Sequence, residues 1–253
     1  GFRKMAVDSL GVTVTQVTSN VFSGFNINFE VDNGRAYSTS GRVIDPETAA
    51  PLGLFANISF GNLVLPDSSV GRTFFISGTD ASDSTVNATI VIRAFDQNTF
   101  VPLGSLNVDG VNGRVKSAVR WGTNGLAICT SGGQLFLIQS NLITPTIPAP
   151  TPTPTPTPSP TPTPTPVPTP GVGELRQIAL ATNDLVTDPA SQTIFASVPS
   201  SVGVGGNSVV PIEPVAGTPG AAVFVGSEPN RLAISDNGAV LYVSLDGANA
   251  VRK

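Results

Sequence analysis

Two distant stretches of this chain carry the same punctuation. Asp32-Asn33-Gly34 lies within "INFEVDNGRAYSTSGRVIDPET", and Asp236-Asn237-Gly238 lies within "NRLAISDNGAVLYVSLDGANAVRK". In each, an apolar run leads into the turn and a second run leaves it, and the chain's two tyrosines, Tyr37 and Tyr242, fall in the second run. Asn-Gly between apolar runs is a strong hairpin signal, because both residues tolerate the positive φ of a tight turn. A Gly-containing break then opens a third strand, "GRVID" or "NAVRK".

Further copies fit the same template. "VLPDSSVGRTFFISG" gives strand, turn, strand, and its third strand, "ATIVIRAFDQNT", is delayed by the insertion "TDASDSTVN". Asp96-Gln97-Asn98-Thr99 echoes Asp45-Pro46-Glu47-Thr48. "VRWGTNGLAICTSGGQLFLIQ" repeats the pattern, and a further copy surrounds Ile194 and Ile212. Copies recurring at about 40–50 residues, with three or four short strands in each, predict β-propeller blades. Radial stacking covers each sheet on both faces, so strands should read as continuous apolar runs, as "TFFI", "LAIC" and "LFLI" do. A β-sandwich also uses short strands at this density, but it would not reproduce the same turn register in copy after copy. The expected fold class is all-β, with blades of four-stranded antiparallel sheet in two groups separated by a polyproline II linker.

That linker is "TPTPTPTPSPTPTPTPVPTP" and its approach, residues 144–170, which hold thirteen of the 23 prolines. Each Pro fixes its own φ, removes a donor, and pushes the preceding residue to extended geometry. Such a tract reads as a polyproline II spacer able to reach about 80 Å at about 3.1 Å per residue. The expected organisation is therefore a propeller part of about three blades over 1–143, the linker over 144–170, and about two blades over 171–253 that are read as part of a separate propeller, the alternative being that the two groups close on each other in one chain with the tract crossing the outside as a loop. Both ends of the sequence read as cutting through blades.

The stretch "PNRLAISDNGAVLYVSLDGANAV" resembles a blade of the YVTN type, related in look to NHL and surface-layer propellers. The whole arrangement resembles bacterial surface or secreted propeller proteins that carry Pro-Thr tracts. The resemblance implies a secreted or cell-surface location. It departs from the family in blade number, since that family's propellers are usually seven-bladed and uninterrupted.

Chemistry is sparsely signalled. The chain has 253 residues, a formal net charge of −4, no His, and one Cys. An acidic balance without clustered Lys and Arg argues against nucleic acid as a partner. No apolar run approaches the roughly 20 residues of a membrane-spanning helix. Without His, the His–metal mechanism of lyases that resemble this fold is excluded within this span. Cys129, inside "GLAICTSGG", reads as a buried small hydrophobe and not a reactive thiol. Trp121 reads as blade packing.

Paired carboxylates could serve as acid and base, and Asp32, Asp67 and Asp236 are the candidates. Their recurrence at equivalent turns argues for a structural part, since Asp caps tight turns through its own side chain. The insertion holds weak calcium candidates, Asp80, Asp83 and Asn87, whose spacing matches no EF-hand. Asn57 and Asn87 fit the N-glycosylation pattern. Thr153, Thr155, Thr157, Thr161, Thr163 and Thr165 are candidate O-glycosylation sites, because Thr/Pro-rich tracts make accessible stalks.

The reading is a non-enzymatic extracellular scaffold or adhesion protein, without a catalytic set, cofactor or firm metal site. Its expected partners are proteins or glycans at a surface, copies of itself among them. Two alternatives stay open: a subunit of an extracellular filament or surface layer, and a propeller enzyme with a carboxylate or metal site in the funnel.

Overall fold

The structure, a computed structural model, describes residues 1–22, 27–58, 63–78, 86–144 and 172–253. These residues form an all-β chain of small antiparallel sheets arranged as five propeller blades. A hairpin of β1 (Phe2–Asp8) and β2 (Gly11–Thr18) precedes them. Blade 1 runs from its inner strand outward as β3 (Phe29–Asp32), β4 (Arg35–Ser38), β5 (Arg42–Ile44) and β6 (Pro51–Leu54). Blade 2 comprises β7 (Leu63–Asp67), β8 (Arg72–Ser77), β9 (Ala88–Asp96) and β10 (Pro102–Val111). Blade 3 comprises β11 (Val115–Trp121), β12 (Gly125–Thr130), β13 (Gln134–Ser140) and β14 (Val172–Ala179). Blade 4 has β15 (Leu185–Thr187), β16 (Ile194–Val198) and β17 (Ser208–Glu213), with its outer edge split between β18 (Thr218–Pro219) and β19 (Val223–Phe224). Blade 5 contributes β20 (Pro229–Ile234), β21 (Leu241–Leu245) and β22 (Ala250–Arg252).

The continuous apolar runs follow from how this architecture buries a strand. Successive side chains of a strand point to opposite faces, and each face meets a different neighbour. In β12, Leu126 and Ile128 pack towards blade 2 with Phe74, Ile76 and Ile92. The intervening Ala127 and Cys129 pack towards blade 4 with Leu185, Ile194 and Ala196. In β13, Phe136 and Ile138 join the first cluster, while Leu135 and Leu137 join the second. Blades 1 and 2 meet through the aromatic residues Tyr37, Phe55, Phe75 and Phe95, and Phe55 stands edge-on to both Phe75 and Phe95 at 5.1 and 5.2 Å. Blades 4 and 5 meet through Val209, Val225, Val243 and Leu245. Trp121, 3% exposed, fills the blade 3–4 seam as expected.

Turn chemistry explains the repeated punctuation. Asn33 (φ 45°) and Gly34 (φ 70°) both adopt the left-handed region that the β3–β4 turn requires. The Asp45 and Asp96 turns are the same object built twice. Each carboxylate accepts the N–H groups two and three residues on, from Glu47 and Thr48 in one and Asn98 and Thr99 in the other. Each turn closes on a left-handed residue, Ala49 or Phe100. Asp188 and Glu213 build comparable turns in blade 4.

The organisation differs from the sequence expectation in one respect. The strand that follows the Pro-Thr tract does not start a separate propeller. β14 pairs along the whole of β13, from Gln134 with Ala179 to Ser140 with Val172. Residues from both sides of the tract share one core, where Leu135 and Leu137 pack with Leu185 and Ile212. The physical reason is edge satisfaction: blade 3 has only three strands before the tract, and the fourth covers its open edge. Residues 145–171, the bulk of the predicted linker, lie outside the described residues; its two flanks are anchored on neighbouring strands of a single blade.

Candidate functional site

The inner strands of the five blades bring their starting residues to one place. Asn28, Phe29 and Glu30 from blade 1, Leu63 and Val64 from blade 2, Arg114 and Lys116 from blade 3, Asn183 from blade 4, and Asn230 and Arg231 from blade 5 line a central groove of about 840 Å³. Propeller geometry dictates this convergence, because every blade presents its innermost strand to the axis. Three cations, one carboxylate and three amide side chains thus share one concavity, whereas the strand interiors behind them are apolar.

Polar contacts fix several of these groups. The Lys116 ammonium donates to the Asn183 side-chain oxygen. Asn183 in turn donates through Nδ2 to the Pro229 carbonyl at 2.9 Å, linking blades 3, 4 and 5. Asp184, nearly buried, accepts the Leu232 N–H at 3.0 Å and lies 3.7 Å from the Arg231 guanidinium. Asn230 donates to Asp246 at 2.7 Å. Glu30 is open to the groove, yet the surrounding walls take water from its carboxyl. That desolvation raises its pKa above the usual carboxylate range, opposed by the Arg231 charge and reinforced by Asp184.

The structure distributes the residues singled out from sequence differently. Asp32, Asp67 and Asp236 are not equivalent turn caps. Asp32 reaches across to blade 2, accepting the Ser68 N–H at 2.8 Å, the Ser68 hydroxyl at 3.0 Å and the Gln97 amide at 2.8 Å. Asp67 caps its own turn at Ser69 and also pairs with Arg120 of blade 3 at 3.0 Å. Asp236 has neither kind of partner among the described residues; Asn237 caps that turn, accepting from the Ser235 hydroxyl and the Ala239 N–H.

Asp80, Asp83 and the tract threonines (Thr153, Thr155, Thr157, Thr161, Thr163 and Thr165) lie outside the described residues. Asn57 and Asn87 are exposed left-handed turn residues. The Asn87 N–H is donated to Asn112, and Thr89 two residues on bonds Asp109. Among the described residues no three His, Cys, Asp or Glu side chains gather as a metal site, and no helix is long and apolar enough to cross a membrane. Cys129 is fully buried, and burial pushes its thiol up to about 11.

The groove residues escaped the sequence reading because each is one or two polar positions before an apolar run, scattered over some 200 residues of chain. Aligning the blades on their first strands would have found them: "NFE", "GRVK" and "PNR" hold comparable positions.

No family model and no curated protein sequence matches the chain. Solved structures match its fold. It is similar to Kuenenia stuttgartiensis hydrazine synthase, with 12% identity and a TM-score of 0.59, over 89% of this chain and 69% of that one. It is also similar to a candidate 6-phosphogluconolactonase from Bacteroides uniformis ATCC 8492, with 16% identity and a TM-score of 0.55, over 89% of this chain and 62% of that one. At these identities what is shared is the propeller architecture.

Proposed function

We propose that the chain is a non-enzymatic recognition scaffold working at or outside the cell surface. In this reading a propeller of YVTN-like look binds surface partners and carries the Pro-Thr tract on its rim. The observation that carries it is where the tract is inserted. It connects β13 to β14 at the outer edge of blade 3, with Ser140 and Val172 as register partners. The tract is far longer than the few residues an inter-strand connection usually needs. The strands that flank it, β13 and β14, form the outer edge of blade 3, and its threonines suit O-linked sugars.

Intact mass and surface labelling of the protein from its source test this. Surface accessibility, and a mass above that of the unmodified chain in hexose-sized steps, are the expected results. An unmodified protein confined to the cell interior would overturn the proposal.

One observation favours an enzyme instead: Glu30, its carboxyl raised by desolvation, faces three cations within one groove, the kind of setting in which acid–base groups are tuned. Both structural neighbours named above also carry enzyme names. Glu30→Gln separates the readings, because loss of a measured turnover with folding intact would establish the enzyme.

A further inference from the structure

We infer that Asn33 is a modification site, converting spontaneously to aspartate and isoaspartate and so loosening the joint between blades 1 and 2. The chemistry belongs to Asn-Gly steps, where the missing Cβ of glycine lets its backbone nitrogen approach the preceding side chain. The Gly34 nitrogen attacks Cγ of Asn33, the Cγ–Nδ2 bond breaks and ammonia leaves, giving a cyclic succinimide. Water then opens one of the two carbonyl–nitrogen bonds of the ring. One product is aspartate. The other, isoaspartate, carries the main chain through Cβ and Cγ and lengthens it by one carbon.

The chain has four such steps, at Asn33, Asn112, Asn124 and Asn237, and the structure separates them. The Asn112 side-chain oxygen accepts the Asn87 N–H at 2.9 Å, and Gly113 is buried against Ser131 and Gly132. Gly125, which follows Asn124, is buried against the Trp121 ring. The Asn237 side-chain oxygen accepts from the Ser235 hydroxyl and the Ala239 N–H. Asn33 and Gly34 are both exposed, the space beside Gly34 is open, and no side-chain hydrogen bond holds Asn33 among the described residues. A carboxamide free to rotate beside an exposed glycine is the one that can close the ring.

The position makes the change consequential. Asp32 pairs with Arg35 across Asn33 and Gly34 alone, so an added backbone carbon has no slack to enter. Asp32 and Arg35 are also the clasps to blade 2: Asp32 accepts from Ser68 and Gln97, and Arg35 donates to the Gln97 carbonyl and the Asn98 side chain. Either product places a new carboxylate beside that of Asp32.

The test holds the whole chain in warm, mildly alkaline buffer, folded and, in parallel, unfolded in guanidinium chloride. Mass spectrometry with enzymatic detection of isoaspartate follows the peptide of each Asn-Gly step. In the unfolded chain all four should convert at similar rates. In the folded chain Asn33 should convert severalfold faster than the other three, with isoaspartate among its products, and the urea midpoint should fall as it does. Asn33→Gly, which keeps a residue suited to the positive φ of the turn and lacks the carboxamide, should hold its midpoint over the same period. Protection of Asn33 in the folded chain, or conversion led by another of the four, would overturn the site. A midpoint unchanged after Asn33 has converted would overturn its effect on the joint.

Discussion

Asp32 and Asp236 occupy the same place in the same Asp-Asn-Gly motif, and replacing each by Ala should give very different results. Asp32 holds blade 1 to blade 2 with three hydrogen bonds, from the Ser68 N–H, the Ser68 hydroxyl and the Gln97 amide. Hydrogen bonds to a charged group contribute about 1.5–3 kcal/mol each in mutational series. Three such bonds would sum well above the true cost here, because water can reach the turn once the carboxylate is removed. A net loss of about 2 kcal/mol is the reasonable figure after that discount. For a domain of this size it lowers Tm by about 4–8 °C. Asp236 has no hydrogen-bond partner among the described residues and is exposed, so Asp236→Ala should stay within about 0.5 kcal/mol. Urea unfolding followed by circular dichroism measures both, with the slope of the transition checked for constancy. Equal destabilisation by the two substitutions would refute the cross-blade role of Asp32 and restore the simple turn-cap account.

Three further outcomes are expected. Asp67→Ala and Arg120→Ala should be non-additive, with a coupling above about 0.5 kcal/mol, because the pair bridges two blades and both side chains are mostly buried, at 15% and 10% exposure; Trp121 fluorescence at the adjoining seam reports the cycle. Native Cys129 should resist a thiol reagent at pH 8 and react on unfolding, since burial pushes the thiol up to about 11; rapid native labelling would contradict its packed position. Backbone N–H groups hold Asp45 and Asp96 below the usual carboxylate range, and the Ser191 hydroxyl with the Ala190 N–H does so for Asp188. A depressed folded pKa means stability present above the unfolded value of about 3.9 and lost as pH falls through the folded one. The urea midpoint should therefore drop below about pH 4, and less so after Asp96→Asn.

How much of this was legible in the sequence depends on whether the information is local. The hairpin turns were legible, because Asn33 and Gly34 announce their own φ, and so was the blade period, because strands buried on both faces cannot hide their apolar runs. The partner of a side chain is a different matter. Asp32 and Asp236 are both followed by Asn-Gly, yet Asp32 bonds blade 2 across the seam and Asp236 has no hydrogen-bond partner among the described residues. Motif repetition therefore marks a turn and predicts neither its backbone type nor its energetics: Asp32 pairs with Arg35 across a two-residue turn with Asn33 left-handed, whereas Ile234 pairs with Leu241 across a longer loop in which Gly238, not Asn237, is left-handed.

The Pro-Thr tract misled for a related reason. Its stiffness argues for separation only if its ends are free to separate, and Ser140 and Val172 are held as partners in one sheet. A countable clue was present: blade 3 showed three strands before the tract, and "VGELRQIAL" immediately after it supplied an apolar strand with no partner of its own. Strand count per blade thus outweighs linker composition. The consequence can be tested by replacing residues 145–171 with a short Asn-Gly turn. The β13–β14 register already brings the ends together, so shortening the loop lowers the entropy of closure. The variant should fold with equal or slightly greater stability. If the tract instead joined separate propellers, the same replacement would force their surfaces together, and loss of folding or new aggregation would show it.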